Sequence, residues 1–332
     1  MPKRPLSCGR LFLSTLLLLG ALAAAIPASG ALLLGWLPAL QLRSTRFVQA
    51  ASFVHFGLAG WTTALVLVVL AALVVRRGLV ALLSIPLALG LAWQLTWIAP
   101  LYLPNPADHA TPMSVAVMNI EVGGGDLDQL IAHVGTADVV VLIEIDDGAR
   151  EGLRQRGFSA AYPHQIHAGQ GVGGTSLYSR LPMDDLGSGD TAFGSPLARV
   201  HHSSGPILVM GVHPVNPMGG RDPWLTDAAN LRAHIRPHLG ENLVVAGDFN
   251  AIDRHATMRP LLTTDGLRST ADLTGAGLPR TWPTAGTGSR FGPLIGIDHV
   301  LVSPSMTAVN HQQFQIENTD HAGLWVEVAR RA

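Results

Sequence analysis

The chain has 332 residues, 48% of them hydrophobic and 14% charged, and a formal net charge of −1. That near-neutral total conceals a division. All 23 acids lie at or after Asp108 with 15 of the 22 basic residues, so this part carries −8 while residues 1–107 are apolar and basic. This excludes a wholly soluble chain, disfavours a general nucleic-acid binder, and, with Cys8 the only cysteine, leaves no intramolecular disulfide.

Three stretches lack Asp, Glu, Lys and Arg: 11–42, 47–75 and 78–107. A bilayer takes about 20 apolar residues to cross, so each run accommodates one helix. We expect transmembrane helices near 11–33, 53–75 and 79–99, kinked at Pro27 and Pro86, with Trp36, Trp93, Trp97 and Tyr102 towards the ends of the runs. Lys3, Arg4, Arg10, Arg76 and Arg77 mark inside segments against Arg43 and Arg46 outside. Three crossings from an inside N-terminus then make this a multi-pass cell-membrane protein with its acidic domain extracytoplasmic. A cleaved signal peptide in the first run leaves the domain on the same side. The membrane region ends near 102, and a Pro-marked linker, 103–112, leads into a domain at 113–332.

In that domain strands are expected at Val115–Met118, Val139–Ile143, Thr175–Tyr178, Arg199–His201, Ile207–Val212, Leu243–Ala246, Ile297–Val302 and Leu324–Val328, and helices near Asp126–His133, Asp147–Arg156 and Asp227–His238. The mixture lacks strict βαβ alternation, which suits two sheets packed face to face with helices outside. Gly123-Gly124-Gly125 lacks the Gly-Lys-Ser/Thr of a phosphate-cradling loop and reads as a turn.

Chemistry gathers where apolar strands stop. Val244-Val245-Ala246 ends in Gly247-Asp248-Phe249-Asn250, and Glu144 follows Val139–Ile143. His213 follows Ile207–Val212, Asp298 opens Val300–Val302, and Asp320-His321 precedes Leu324–Val328. A solvated acid accounts for Asp146 and Asp147, but a carboxylate ending a fully apolar strand needs a partner, which makes Glu144 the first candidate metal ligand. Hard oxygen donors suit Mg²⁺ or Mn²⁺. Tyr178 and His299 read as packing, and His164 and His167 as surface residues.

The ordered set Asn119, Glu144, His213, Asp248-x-Asn250, Asp298 and Asp320-His321 resembles the endonuclease/exonuclease/phosphatase superfamily over roughly 112–330. Gly174–Arg180, Thr281-Trp282-Pro283 and Ile297–Ser303 add to the likeness. Its members include deoxyribonucleases, apurinic endonucleases, bacterial sphingomyelinases and inositol polyphosphate 5-phosphatases. The resemblance implies an α/β (α+β) fold, a four-layer sandwich with its site at one rim, and metal-dependent hydrolysis of phosphoesters. It implies that Glu144, Asn119 and Asp320 serve the metal, that Asp248 activates water, and that Asn250 and His213 hold the phosphate. His321, oriented by Asp298, would assist protonation. The chain departs from the family in Ala322-Gly323 after His321, in Ile143 before Glu144, and in lacking a second Asn after Asn119.

With no lysine and −8, the domain favours a small or lipid phosphoester over nucleic acid. The competing class is a non-catalytic extracytoplasmic binding domain on the same fold. A scaffold has no physical need for buried carboxylates, which argues for the enzyme.

Overall fold

The computed structural model describes residues 7–105, 107–285 and 289–332. It divides into two units, Met1–Ala99 and Pro100–Ala332. Lys3 and Arg4, on which the orientation partly rests, and Pro106 of the linker lie outside the described residues.

In the first unit the principal helices are Cys8–Trp36, Gly57–Val75 and Ser84–Ile98. Three stretches are long and apolar enough to cross a membrane: Cys8–Trp36, Val54–Val75 and Gly78–Tyr102. Small residues let the helices approach: a Cβ on Gly60 would stand 2.9 Å from that of Ala28. The first helix runs through Pro27. The third apolar run differs from expectation, since it divides into Gly78–Ala81 and Ser84–Ile98. Pro86 stands in the first turn of the latter, where its missing N–H is no loss, just after the break at Leu82 and Leu83.

The second unit has twelve strands among the described residues. They are β1 (Met113–Asn119), β2 (Val139–Ile143), β3 (His164–Ala168), β4 (Thr175–Ser179), β5 (Met183–Ser188) and β6 (Pro196–His202). There follow β7 (Gly205–Val212), β8 (Leu243–Asp248), β9 (Arg268–Ser269), β10 (Asp298–Val302), β11 (Met306–Phe314) and β12 (Gly323–Arg330). They form two six-stranded mixed sheets flanked by helices, in the orders β11-β12-β1-β2-β4-β3 and β5-β6-β7-β8-β10-β9. Each sheet has a single parallel pair, β1–β2 in one and β7–β8 in the other.

Period-two alternation divides the central strands between two cores. Val115, Val117, Val139 and Val141 meet Val209, Val244, Ala246 and Val300 in the core between the sheets. Ala116, Met118, Val140 and Leu142 turn the other way, to Leu130, Val134 and Leu153 of the helices Leu127–Val134 and Asp147–Gln155. Both faces of the central strands are buried, which is why their sequences are continuously apolar. Asp126 and Asp146 cap these two helices, each accepting from backbone N–H groups of the first turn. The helix expected at 227–238 begins earlier, at Arg221.

The topology fixes the rim. β1 and β2 run parallel, so Asn119 and Glu144 emerge at one end of their sheet, and His213 and Asp248 emerge likewise from β7 and β8. β12 is antiparallel to β1 and β10 to β8, which returns His321 and Asp298 to those same ends. Asp298 lies directly opposite Asp248 in register.

Candidate active site

Asp248, at the tip of β8, is almost fully buried. Its Oδ1 accepts from the Asn250 backbone N–H at 2.7 Å, and its Oδ2 from Asn119 Nδ2 at 3.3 Å. The Nε2 atoms of His213 and His321 each stand 3.7 Å from that same Oδ2. Burial, with Asp298 nearby, holds the Asp248 carboxyl well above the usual carboxylate range. The turn depends on Gly247, whose φ is 156° and where a Cβ would strike the Val212 carbonyl of β7.

Asn119 binds both acids through one nitrogen, donating to Glu144 Oε1 at 3.1 Å as well as to Asp248. Its Oδ1 is taken by the Glu121 N–H at 3.0 Å. It thus faces the site as an amide donor, where the resemblance implies a metal contact. Glu144 and Asn250 have φ of 55° and 49°, left-handed backbone that ordinary residues avoid and that functional sites tolerate when their surroundings enforce it. Burial raises the Glu144 carboxyl above its ordinary value, the Asn119 hydrogen bond opposes this, and Asp320 and Glu121 add to the rise. Asn250 donates from Nδ2 to the Pro214 carbonyl at 2.9 Å, which pins the loop after His213.

The two histidines are held differently. His213 Nδ1 donates to the Val172 carbonyl at 3.0 Å, leaving Nε2 bare toward Asp248 and Glu144. Burial pushes it down to about 4, so in the free site the ring is neutral. His321 Nδ1 lies 2.9 Å from Asp298 Oδ2. Burial alone would lower His321, but Asp298, Asp248 and Asp320 outweigh it and hold the ring protonated. Asp320 Oδ1 is 3.6 Å from His321 Nε2, and its Oδ2 accepts from Trp282 Nε1 at 2.7 Å.

The structure therefore gathers Asn119, Glu144, His213, Asp248, Asn250, Asp298, Asp320 and His321 at one rim. Four residues that sequence reasoning did not assign complete their support. Thr281 Oγ1 accepts from the N–H groups of Ile297 and Asp298, both at 3.1 Å. Thr319 Oγ1 donates to the Asn119 carbonyl at 2.9 Å. Trp282 steadies Asp320, and Val172 fixes the His213 tautomer. Thr281-Trp282 stood out as a motif, but Val172 acts through its backbone and leaves no sequence signal. Tyr178 packs in the outer core, His167 binds Ser176, and His299 binds the Ala251 carbonyl.

The donor set suits a hard divalent cation. Asp248 and Asp298 offer oxygens within 4.8 Å of each other, with the charged His321 between them as a proton donor, and Asp298 Oδ1 is buried without a partner among the described residues. Glu144, in the field of Asp320 and Glu121, makes a second, more open acidic group.

Two six-stranded sheets with acids and imidazoles gathered at one rim define the deoxyribonuclease I-like class of folds. Residues 117–321 match the Endonuclease/Exonuclease/phosphatase family, and the chain belongs to it. The family's enzymes are generally hydrolases of phosphoester bonds and use divalent metals, commonly Mg²⁺. D. rerio TDP2 complexed with single-strand DNA product is similar in fold: TM-score 0.52, 14% identity, covering 66% of this chain and 99% of that one. The 3′ phosphatase NExo from Neisseria, bound to a product DNA hairpin, gives 0.52 at 20% identity, covering 64% and 98%. An endonuclease/exonuclease/phosphatase from Beutenbergia cavernae gives 0.51 at 18%, covering 67% and 72%. No curated protein matches the chain.

Proposed function

We propose that this protein is a membrane-anchored, divalent-metal-dependent phosphoesterase acting outside the cytoplasm, on small or lipid phosphoesters ahead of nucleic acid. The observation that carries this reading is Asp248: a buried carboxylate with an imidazole Nε2 at 3.7 Å on either side. Asp248 is held by the Asn250 N–H, Asn119 and the charged His321, a buried acid fixed beside a proton donor, which suits a general base better than a purely structural carboxylate.

In this reading Asp248 orients a water and takes its proton as the water oxygen bonds to phosphorus. The bond from phosphorus to the leaving oxygen breaks, and that oxygen receives a proton. His321, kept charged by Asp298, donates toward the phosphoryl oxygens or the leaving group. Asn250 and His213 contact the phosphate, His213 after taking up a proton as negative charge arrives. Mg²⁺ or Mn²⁺ on Glu144, with Asp320 beside it, would neutralise phosphoryl charge. Asn119, donating to both Glu144 and Asp248, sets the spacing between the acid that would hold the cation and the base.

A formal −8 without lysine leaves little to neutralise a polyanion, which ranks nucleic acid second. The test is hydrolysis of bis(p-nitrophenyl) phosphate by the purified full chain in detergent. Activity should vanish with chelator and return with Mg²⁺ or Mn²⁺; full turnover in chelator would reject the metal-dependent mechanism, and none under any condition would favour the non-catalytic binding domain.

A further inference from the structure

Four apolar side chains are exposed on loops rooted in the candidate site. They are Phe291 at 89% exposure, Met218 at 73%, Val172 at 47% and Val122 at 43%. Val122 follows Glu121, whose carboxylate accepts from the Asp320 N–H at 2.9 Å. Val172 lends its carbonyl to His213. Its neighbour Gly171 lies against Val122, where an added Cβ would meet the Val122 Cγ1 at 4.0 Å. Met218 sits on the turn Pro217–Gly219, just beyond the Pro214 carbonyl that holds Asn250. Phe291 lies four residues before Ile295, whose backbone pairs with Trp282, and Trp282 binds Asp320.

Exposed apolar residues scattered singly need no account, but four on the loops that build one site do. Val122 also has a φ of 54°, a left-handed conformation that β-branched residues avoid, and in it the side chain remains in solvent. Phe291 is preceded by the exposed Arg290, the apolar-plus-cationic pairing that suits a headgroup boundary. The chain supplies the occupant, since its three membrane-crossing candidates keep the domain at a bilayer. With −8 and no lysine in the domain, nucleic acid is the poorer partner for this rim.

We propose that Val122, Val172, Met218 and Phe291 form a lipid-facing rim that enters the boundary between headgroups and acyl chains, so that the substrate is a phosphoester of a membrane lipid. The substrate half of this inference rests on the hydrolase reading above; the rim half does not.

The experiment uses the full chain in proteoliposomes of phosphatidylethanolamine and phosphatidylglycerol. Phe291→Cys in a Cys8→Ser background is labelled with a nitrobenzoxadiazole fluorophore. Doxyl-labelled lipids should quench it at a depth of ~5–10 Å. Met218→Ser with Phe291→Ser should lower release of water-soluble phosphoester from the vesicle lipids by about tenfold and leave hydrolysis of bis(p-nitrophenyl) phosphate within about twofold. An unquenched label with soluble-diester turnover intact overturns the rim. Quenching without turnover of any phosphoester overturns the hydrolase reading and with it the lipid substrate. Faster hydrolysis of single-stranded DNA than of vesicle lipid reassigns the substrate to nucleic acid.

Discussion

Glu144 and Asp248 are charges that the fold buries at its own expense, so their removal should separate activity from stability. Glu144→Gln and Asp248→Asn should each lower kcat by about 10²–10⁴, with the far-ultraviolet circular dichroism unchanged. Asn250→Ala should be milder, since in the proposed mechanism it removes one phosphate contact. The pH dependence has a definite sign. Asp248 is raised in the folded protein, so its contribution is fully present below the ordinary carboxylate range and is lost as pH rises through its folded value near 7. His321 is also raised, and the stability it contributes likewise persists at low pH and is lost only on the alkaline side. In chelator, the second unit should therefore melt lower at about pH 8 than at about pH 5, and Mg²⁺ should restore Tm chiefly at the higher pH. Asp248→Asn should raise Tm in chelator at about pH 8, because its amide cannot ionise; a fall there would show that the charge stabilises the fold.

The strands and their junctions carry the geometry. Gly247→Ala would press a methyl into the Val212 carbonyl where β7 and β8 pair, and should destabilise the unit by about 1–3 kcal/mol. It would also displace Asp248, so kcat should fall more than Tm alone explains. Thr281→Val would orphan the buried N–H groups of Ile297 and Asp298, costing about 1–3 kcal/mol for each left unpaired. Its signature should be a shifted alkaline limb of the pH–rate profile, since Asp298 holds His321. The buried strands were legible in the sequence because both their faces are apolar. The polar strands β3, β5 and β11 were not: Met183–Ser188 includes two Asp residues, and Met306–Phe314 ends in Asn-His-Gln-Gln-Phe. Such edge and near-edge strands show no buried period to read. Glu144, His213, Asp248, Asp298 and His321 were legible because each stands where an apolar run meets the rim, whereas Asn119 came from the resemblance to the family. The Val172 carbonyl was not, and neither was the amide-first orientation of Asn119, because both depend on neighbours distant in sequence.

At the scale of the whole chain, its two units have opposite electrostatic character, and the proposed orientation follows from the basic residues of the first. Protease added to spheroplasts should remove residues 113–332; protection there, with cleavage only in inverted vesicles, would place the domain in the cytoplasm. The order of strands in the first sheet has a consequence for the history of each molecule. β1 pairs with β12, Met113 against Val328, and Asp320 and His321 stand on the loop that leads into β12. Contacts between segments so far apart in sequence close late. A chain that has reached Asp298 already holds Glu144 and Asp248, yet it lacks the imidazole that lies between two of those acids. Under the proposed mechanism the acids therefore wait for their proton donor until that final strand docks, so completion of the fold and completion of the site are the same event.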